Sequence, residues 1–159
     1  MLTGVVNPSG RLPLTFPADL ADTPRPELPD APWGIPVTVR YDEGAEVGYR
    51  WYAQTGAKPL YAFGHGLSYT TFAYRDLTVD GTSATFTVTN TGDGAGADVP
   101  QLYLTEPRMR LLGFERVELA PGESRTVTII AEPRVLAPFG GGAIAVATAA
   151  DAPVLTGRF

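Results

Sequence analysis

From about residue 71 onward the sequence is divided into short segments of alternating polar and apolar residues, with turn sequences between them. "FAYRDLTV" is followed by "SATFTVTNTG", in which Phe86 and Val88 alternate with Thr85, Thr87 and Thr89. "ADVPQLYLTEP", "LLGFERVELAPGE", "SRTVTIIAEP" and "AIAVATA" continue the series, and "NTGDG" and "APGE" are turn formers. A period of two sends successive side chains to opposite faces of an extended chain, so each segment can bury one face. No long stretch carries a helical period. Six or seven short strands in roughly 90 residues predict an all-β fold, an antiparallel β-sandwich of the immunoglobulin or fibronectin type III kind.

The first 70 residues obey a different rule. Eight of the 15 prolines fall within the first 36 residues, so the excess is local and does not signal general disorder. "MLTGVVNPSGRLPLTFP" predicts a turn at Asn7-Pro8-Ser9-Gly10 and then a strand with Leu12, Leu14 and Phe16 on one face. Such a strand needs a sheet to join, and nothing before it supplies one. "PADLADTPRPELPDAPWGIP" reads as a stiff, extended connector, because proline fixes φ and pushes its predecessor out of the helical region. Nine of the sixteen aromatic residues then crowd between Tyr41 and Tyr74. In "VGYRWY" an extended reading puts Val47, Tyr49 and Trp51 on one face and Gly48, Arg50 and Tyr52 on the other, a strand covered on both sides or packed on a partner.

Composition excludes several functions. A net charge of -5 and a pI near 4.8 argue against a nucleic-acid surface. No apolar run reaches the ~20 residues of a membrane helix, and the first residues lack the basic stretch and apolar core of a secretory signal. With no cysteine, the chain has no disulfide, thiol nucleophile or thiolate metal ligand, and its compartment is left open.

Candidate chemistry is sparse. Asp42, Glu43 and Glu46 in "YDEGAE" are the carboxylates to weigh, since a retaining glycosidase needs two carboxyl groups ~5–5.5 Å apart. In extended chain Asp42 and Glu43 diverge, and Glu46 reaches either only through a tight turn at Gly44. These acids read as solvated or locally bonded. His65, the single histidine, sits in "FGHGLSY" between Gly64 and Gly66. It has no nucleophile-elbow serine near it and no second histidine to share a metal, so it reads as a packing residue. Its flanking glycines suit positive φ or close backbone approach. Trp51, Tyr52, Tyr61 and Phe63 could stack on sugars or bury themselves against a neighbour; burial is the expectation. No cofactor or metal is expected, and no catalytic residue is assigned.

Four motifs taken together resemble the C-terminal part of family 3 glycoside hydrolases, the β-glucosidase and β-xylosidase group. They are "NPSGRLPLTFP" (7–17), "YDEGAEVGYRWY" (41–52), "PLYAFGHGLSYTTFAY" (59–74) and "LLGFERVELAPGESRTVTI" (111–129), with "VTNTGDGAGADVPQLYL" fitting between the last two. "TEPRMRLLGF" is shorter than the corresponding family connection, and the resemblance weakens after about residue 131. The resemblance implies that residues 1–17 are the tail of an α/β sandwich domain and 18–46 a proline-rich linker. It makes 47–70 an aromatic docking segment and 71–159 a fibronectin type III-like domain. Trp51, Tyr52, Phe63, Gly64, His65, Gly66 and Tyr69 are then structural residues of a domain interface. The implied partners are the catalytic barrel and α/β sandwich domains of the same retaining enzyme, which carry its nucleophile and acid/base. A β-linked glycoside would be met only in that intact enzyme, with no nucleic acid or membrane partner. The alternative is a free-standing β-sandwich that binds carbohydrate, through Trp33, Trp51 or Tyr52, or docks on another protein.

Overall fold

The structure, a computed structural model, describes residues 2–27 and 33–159. Residues 28–32 of the expected linker lie outside that description. Nine strands and two short α-helices are present among the described residues. The strands are β1 Phe72–Asp80, β2 Ser83–Asn90, β3 Gly96–Asp98, β4 Gln101–Leu104, β5 Arg110–Phe114, β6 Val117–Leu119, β7 Ser124–Ile130, β8 Ala143–Ala149 and β9 Ala152–Arg158. The helices are α1 Tyr49–Thr55 and α2 Pro133–Leu136. One sheet has the order β1-β2-β7 and the other β5-β4-β8-β9, with β3 and β6 forming a separate pair. Every pairing is antiparallel.

The alternation read from the sequence becomes the core. Along β2, Ala84, Phe86 and Val88 are buried while Thr85 and Thr87 face outward, Thr85 bonding Thr128 across the pair at 2.9 Å. Facing them from the other sheet are Leu102 and Leu104 of β4, Leu112 of β5 and Ile144 and Val146 of β8. Val117 and Leu119 of β6 and Leu136 of α2 close the ends of this cluster. Asn90 ends β2 fully buried, and all of its polar capacity is used. Its amide donates to the carbonyls of Gly94 (2.8 Å) and Leu119 (3.1 Å), and its oxygen accepts from Thr70 (2.7 Å) and Gly92 N (3.1 Å). The "NTGDG" turn is therefore held from inside.

Several expectations are corrected. "VGYRWY" does not form a strand: its last four residues open α1, entered through Gly48 at φ +56 and ended at Gly56 in the left-handed region. Positive-φ glycines at both ends, the second in the left-handed region, favour a short helix over a continuing strand. The turn expected at residues 7–10 is absent; the Asn7 side chain is bonded to distant groups, donating to Ala95 O and accepting from Ser68 Oγ and Tyr69 N. The extended stretch 11–16 does find a partner, but within this chain. Leu12 N bonds His65 O and Gly64 N bonds Leu12 O, both at 2.8 Å, and Phe16 bridges Tyr61 in antiparallel fashion. The stretch after residue 131, where the resemblance weakens, forms α2, β8 and β9.

Both faces of the β4 and β8 sheet are buried. Leu102 pairs with Val146 and Leu104 with Ile144 on the inner face; Gln101 pairs with Ala147 and Tyr103 with Ala145 on the outer one. All eight residues are buried, so the outer face has a cover of its own. Truncating the inner-face anchor, Phe86→Ala, is expected to cost about 3–5 kcal/mol of stability in urea unfolding. A loss under about 1 kcal/mol would show that β2 does not face the main core.

Candidate functional site

The cover over the outer face is made by residues 49–66. Tyr49 of α1 lays its ring 5.8 Å from that of Tyr103 and 5.1 Å from that of Phe63. Its hydroxyl accepts the N–H of Leu111, occupying one donor of β5, a strand at the sheet edge. The Phe63 carbonyl accepts from Ala150 N at 2.9 Å. Gln101 Nε2 donates to the Gly64 carbonyl at 3.2 Å and to Thr148 O at 3.0 Å, while its oxygen accepts the Tyr103 hydroxyl at 2.5 Å. Burial pushes the Tyr103 phenol far above its ordinary range and keeps it a neutral donor.

"FGHGLSY" lies at the centre of this junction. Gly64 has φ +81, and a side chain there would collide with the Gln101 amide. Gly66 lacks positive φ, but an added Cβ would stand 2.5 Å from the Gly10 carbonyl and 2.7 Å from the Arg11 stem. One glycine thus admits the sandwich and the other admits the N-terminal stretch. His65 lies between them, its N–H on Ala62 O and its ring 5.3 Å from that of Tyr61.

Two ion-pair systems lock the layer. Asp98 of β3 is 2% exposed and receives Arg11, the Tyr74 hydroxyl at 2.5 Å and Val99 N at 2.8 Å. Burial, reinforced by the Asp98 charge, drives the Tyr74 phenol far above its usual range, so it stays protonated as a donor. Glu46, just ahead of α1, binds Arg110 at 2.6 Å and Arg108 at 3.2 Å. The Arg110 hydrogen bond outweighs desolvation, and with the charges of Arg110 and Arg108 it holds the Glu46 carboxyl below its ordinary 4.5. Glu43 pairs with Arg25 at 2.7 Å, and Arg25 also lies over the Tyr41 ring. Glu43 and Glu46 are thus committed to arginines.

Trp51 is half-buried, its indole N–H on Asp22 O at 2.8 Å. Tyr52 is buried, and desolvation, with the charge of Asp22, raises its phenol. Neither presents a free ring face on the scale of Trp33, which is fully exposed. Phe63, Gly64, His65 and Gly66 come together at the junction, while Tyr69 stays largely exposed with its N–H on the Asn7 side chain. Sequence reasoning missed Arg11, Asp98, Gln101 and Tyr49. The available signal was an acid and an amide inside the apolar run "ADVPQLYL", since buried polar groups need partners.

This is an antiparallel fibronectin-type sandwich with a preceding segment bound across one outer face. Residues 98–155 match the fibronectin type III-like domain, and residues 1–69 match the glycosyl hydrolase family 3 C-terminal domain. The chain belongs to the C-terminal region of glycosyl hydrolase family 3. It is 49% identical over 138 residues to a protein of Emericella nidulans named probable beta-glucosidase K, covering 81% of this chain and 16% of that protein. With thermostable beta-glucosidase B of Acetivibrio thermocellus it shares 41% over 152 residues, covering 86% of this chain and 20% of the relative. The structure of beta-glucosidase 3B from Thermotoga neapolitana in complex with glucose superposes with a TM-score of 0.88 at 38% identity. That match covers 99% of this chain and 25% of the other. The chain therefore spans a quarter or less of the length of these relatives.

Replacing Arg11 by Ala leaves a buried carboxylate short of its cation and is expected to cost about 3 kcal/mol. Combined with Asp98→Asn the two losses should be less than additive in a double-mutant cycle, and full additivity would deny the coupling. The Glu46 pairs have a defined pH sign. A folded value below 4.5 makes their stabilisation complete above pH 4.5 and removes it as pH falls through the lower folded value. Glu46→Gln should therefore flatten the acid limb of stability measured by urea unfolding, and an unchanged limb would contradict the pairing.

Proposed function

We propose that this chain acts as the C-terminal accessory portion of a family 3 retaining β-glycosidase of β-glucosidase type, and that alone it is catalytically silent. The observation that carries the reading is where apolar surface lies exposed. Of eighteen exposed large apolar side chains among the described residues, fifteen precede residue 70, including Leu14, Phe16, Leu60, Tyr61 and Leu67. Scattered exposed apolar groups are ordinary, but a concentration on one segment marks a surface that meets a partner. Relatives four or more times as long supply a partner in the same polypeptide.

On this reading residues 1–17 are the tail of the α/β sandwich domain, 18–46 the linker, 47–70 the docking segment and 71–159 the fibronectin-like domain. Trp51, Tyr52, Phe63, Gly64, His65, Gly66 and Tyr69 hold the interface and touch no substrate. Their task is positional: they fix the docking segment on the sandwich so that the outward apolar side chains meet the catalytic domains in one orientation. Hydrolysis of a β-linked glycoside belongs to the barrel and α/β domains.

The purified chain should leave an aryl β-glucoside intact and should bind a hydrophobic dye. Grafted in place of the matching quarter of beta-glucosidase 3B, it should give a soluble, active enzyme that no longer binds the dye. Turnover by the isolated chain, abolished by removing one of its own carboxylates, would overturn the reading. Equal activity of the graft and of an enzyme lacking any C-terminal region would do the same.

A further inference from the structure

Among the described residues, nine of the eleven arginines pair with a carboxylate, and Arg40 and Arg50 do not. Arg50 lies within α1 and is half-buried. Arg40 is exposed at the end of a different kind of chain. Residues 35–40 join no helix or strand and make no backbone–backbone hydrogen bond among the described residues. All of them but Val39 are exposed, and so are Tyr41 and Asp42 beyond. Arg25 holds the end of the stretch lightly, donating to the Arg40 carbonyl at 3.5 Å with its guanidinium over the Tyr41 ring. Exposed backbone free of hydrogen bonds is what a protease cleft can take in, because the cleft must receive extended chain.

The other eleven basic residues are closed to the same attack. Arg25 and Lys58 precede proline, whose ring replaces the N–H and fixes φ on the far side of the bond. Arg11 precedes Leu12, whose N–H is bonded to His65 O. Seven more lie in a helix or strand or directly against one. Arg108 is the rival, but its loop spans only residues 105–109 and Glu46 holds its side chain at 3.2 Å.

A cut after Arg40 would release no part of the fold. Residues 7–25 are held to residues beyond 41 by contacts that do not pass through the linker. Arg11 meets the buried Asp98, and Leu12 and Phe16 bond the backbone at 60–65. Asp22 O accepts the Trp51 indole N–H at 2.8 Å, and Arg25 pairs with Glu43 at 2.7 Å.

We propose that residues 36–42 form a processing site for an arginine-specific endoprotease, and that the cut protein persists as two pieces, 1–40 and 41–159, joined at the seam. The unpaired guanidinium suits the acidic specificity pocket of a trypsin-like enzyme. Water adds across the Arg40–Tyr41 amide and the C–N bond breaks; Arg40 gains a carboxylate and Tyr41 an α-ammonium. The inference concerns the chain free of partners and does not depend on the glycosidase reading.

The test is limited digestion of the purified full chain by trypsin, read by intact-mass spectrometry and native gel filtration. The first products should be 1–40 and 41–159, their masses summing to the chain plus one water, formed at least about tenfold faster than any other pair. They should co-elute at the volume of the uncut chain and separate in urea. Arg40→Gln should slow the first cut by about tenfold or more, and Arg108→Gln should leave it unchanged. Urea below the unfolding transition should leave the rate almost constant, since the site is open in the folded chain. A first cut elsewhere, a rate that climbs steeply with urea, or pieces that part on the native column would each overturn the proposal.

Discussion

The buried carboxylate of Asp98 sets the geometry on which the rest of the junction depends. An ionised acid removed from water is tolerated only where charge and hydrogen bonds replace its solvation. Here the replacements come from three parts of the chain: Arg11 from the N-terminal stretch, Tyr74 from β1 and the adjacent backbone at Val99. Satisfying Asp98 therefore fixes residue 11 against the sandwich. Residue 11 in turn positions Leu12, whose backbone is bonded to Gly64 and His65. A single electrostatic requirement thus propagates along a short ladder to the loop that covers β4.

That cover changes what the second sheet can be made of. A sandwich strand with one wet face alternates apolar and polar residues, as β2 does. Strand β8 instead runs Ile144-Ala145-Val146-Ala147, every residue buried. The large side chains point to the core, and alanines lie beneath the overlying segment, where they allow close approach. The covering residues also take a sheet edge out of circulation, since the Tyr49 hydroxyl occupies the Leu111 N–H.

The sandwich was legible because its governing rule is local. A period of two and a turn every few residues are visible without knowing what packs on what, and β1, β2, β7 and β8 follow the quoted segments closely. The first 70 residues were less legible because their structure is decided at a distance. "VGYRWY" has strand-like residues, yet positive-φ glycines at 48 and 56 bound a helix there, and its last four residues open α1. The proline-flanked stretch 11–16 looked orphaned because its partner lies some fifty residues later. His65 lies between the two close-fitting glycines of the junction, with its ring beside Tyr61. Arg11 and Asp98 escaped notice because neither motif hints at the other until the fold brings them together.

Gly64 and Gly66 face opposite neighbours, one the Gln101 amide of the sandwich and the other the Gly10 carbonyl of the leading stretch. A seam with a tight fit on each side cannot be cut in its middle. A recombination point placed at the nominal start of the sandwich, near residue 71, would strip β4 and β8 of their cover and leave alanines, an amide and a phenol on the surface. The exchangeable unit is larger than the sandwich. It begins upstream of Asn7, so that the leading stretch, the loop and the strands they cover travel together.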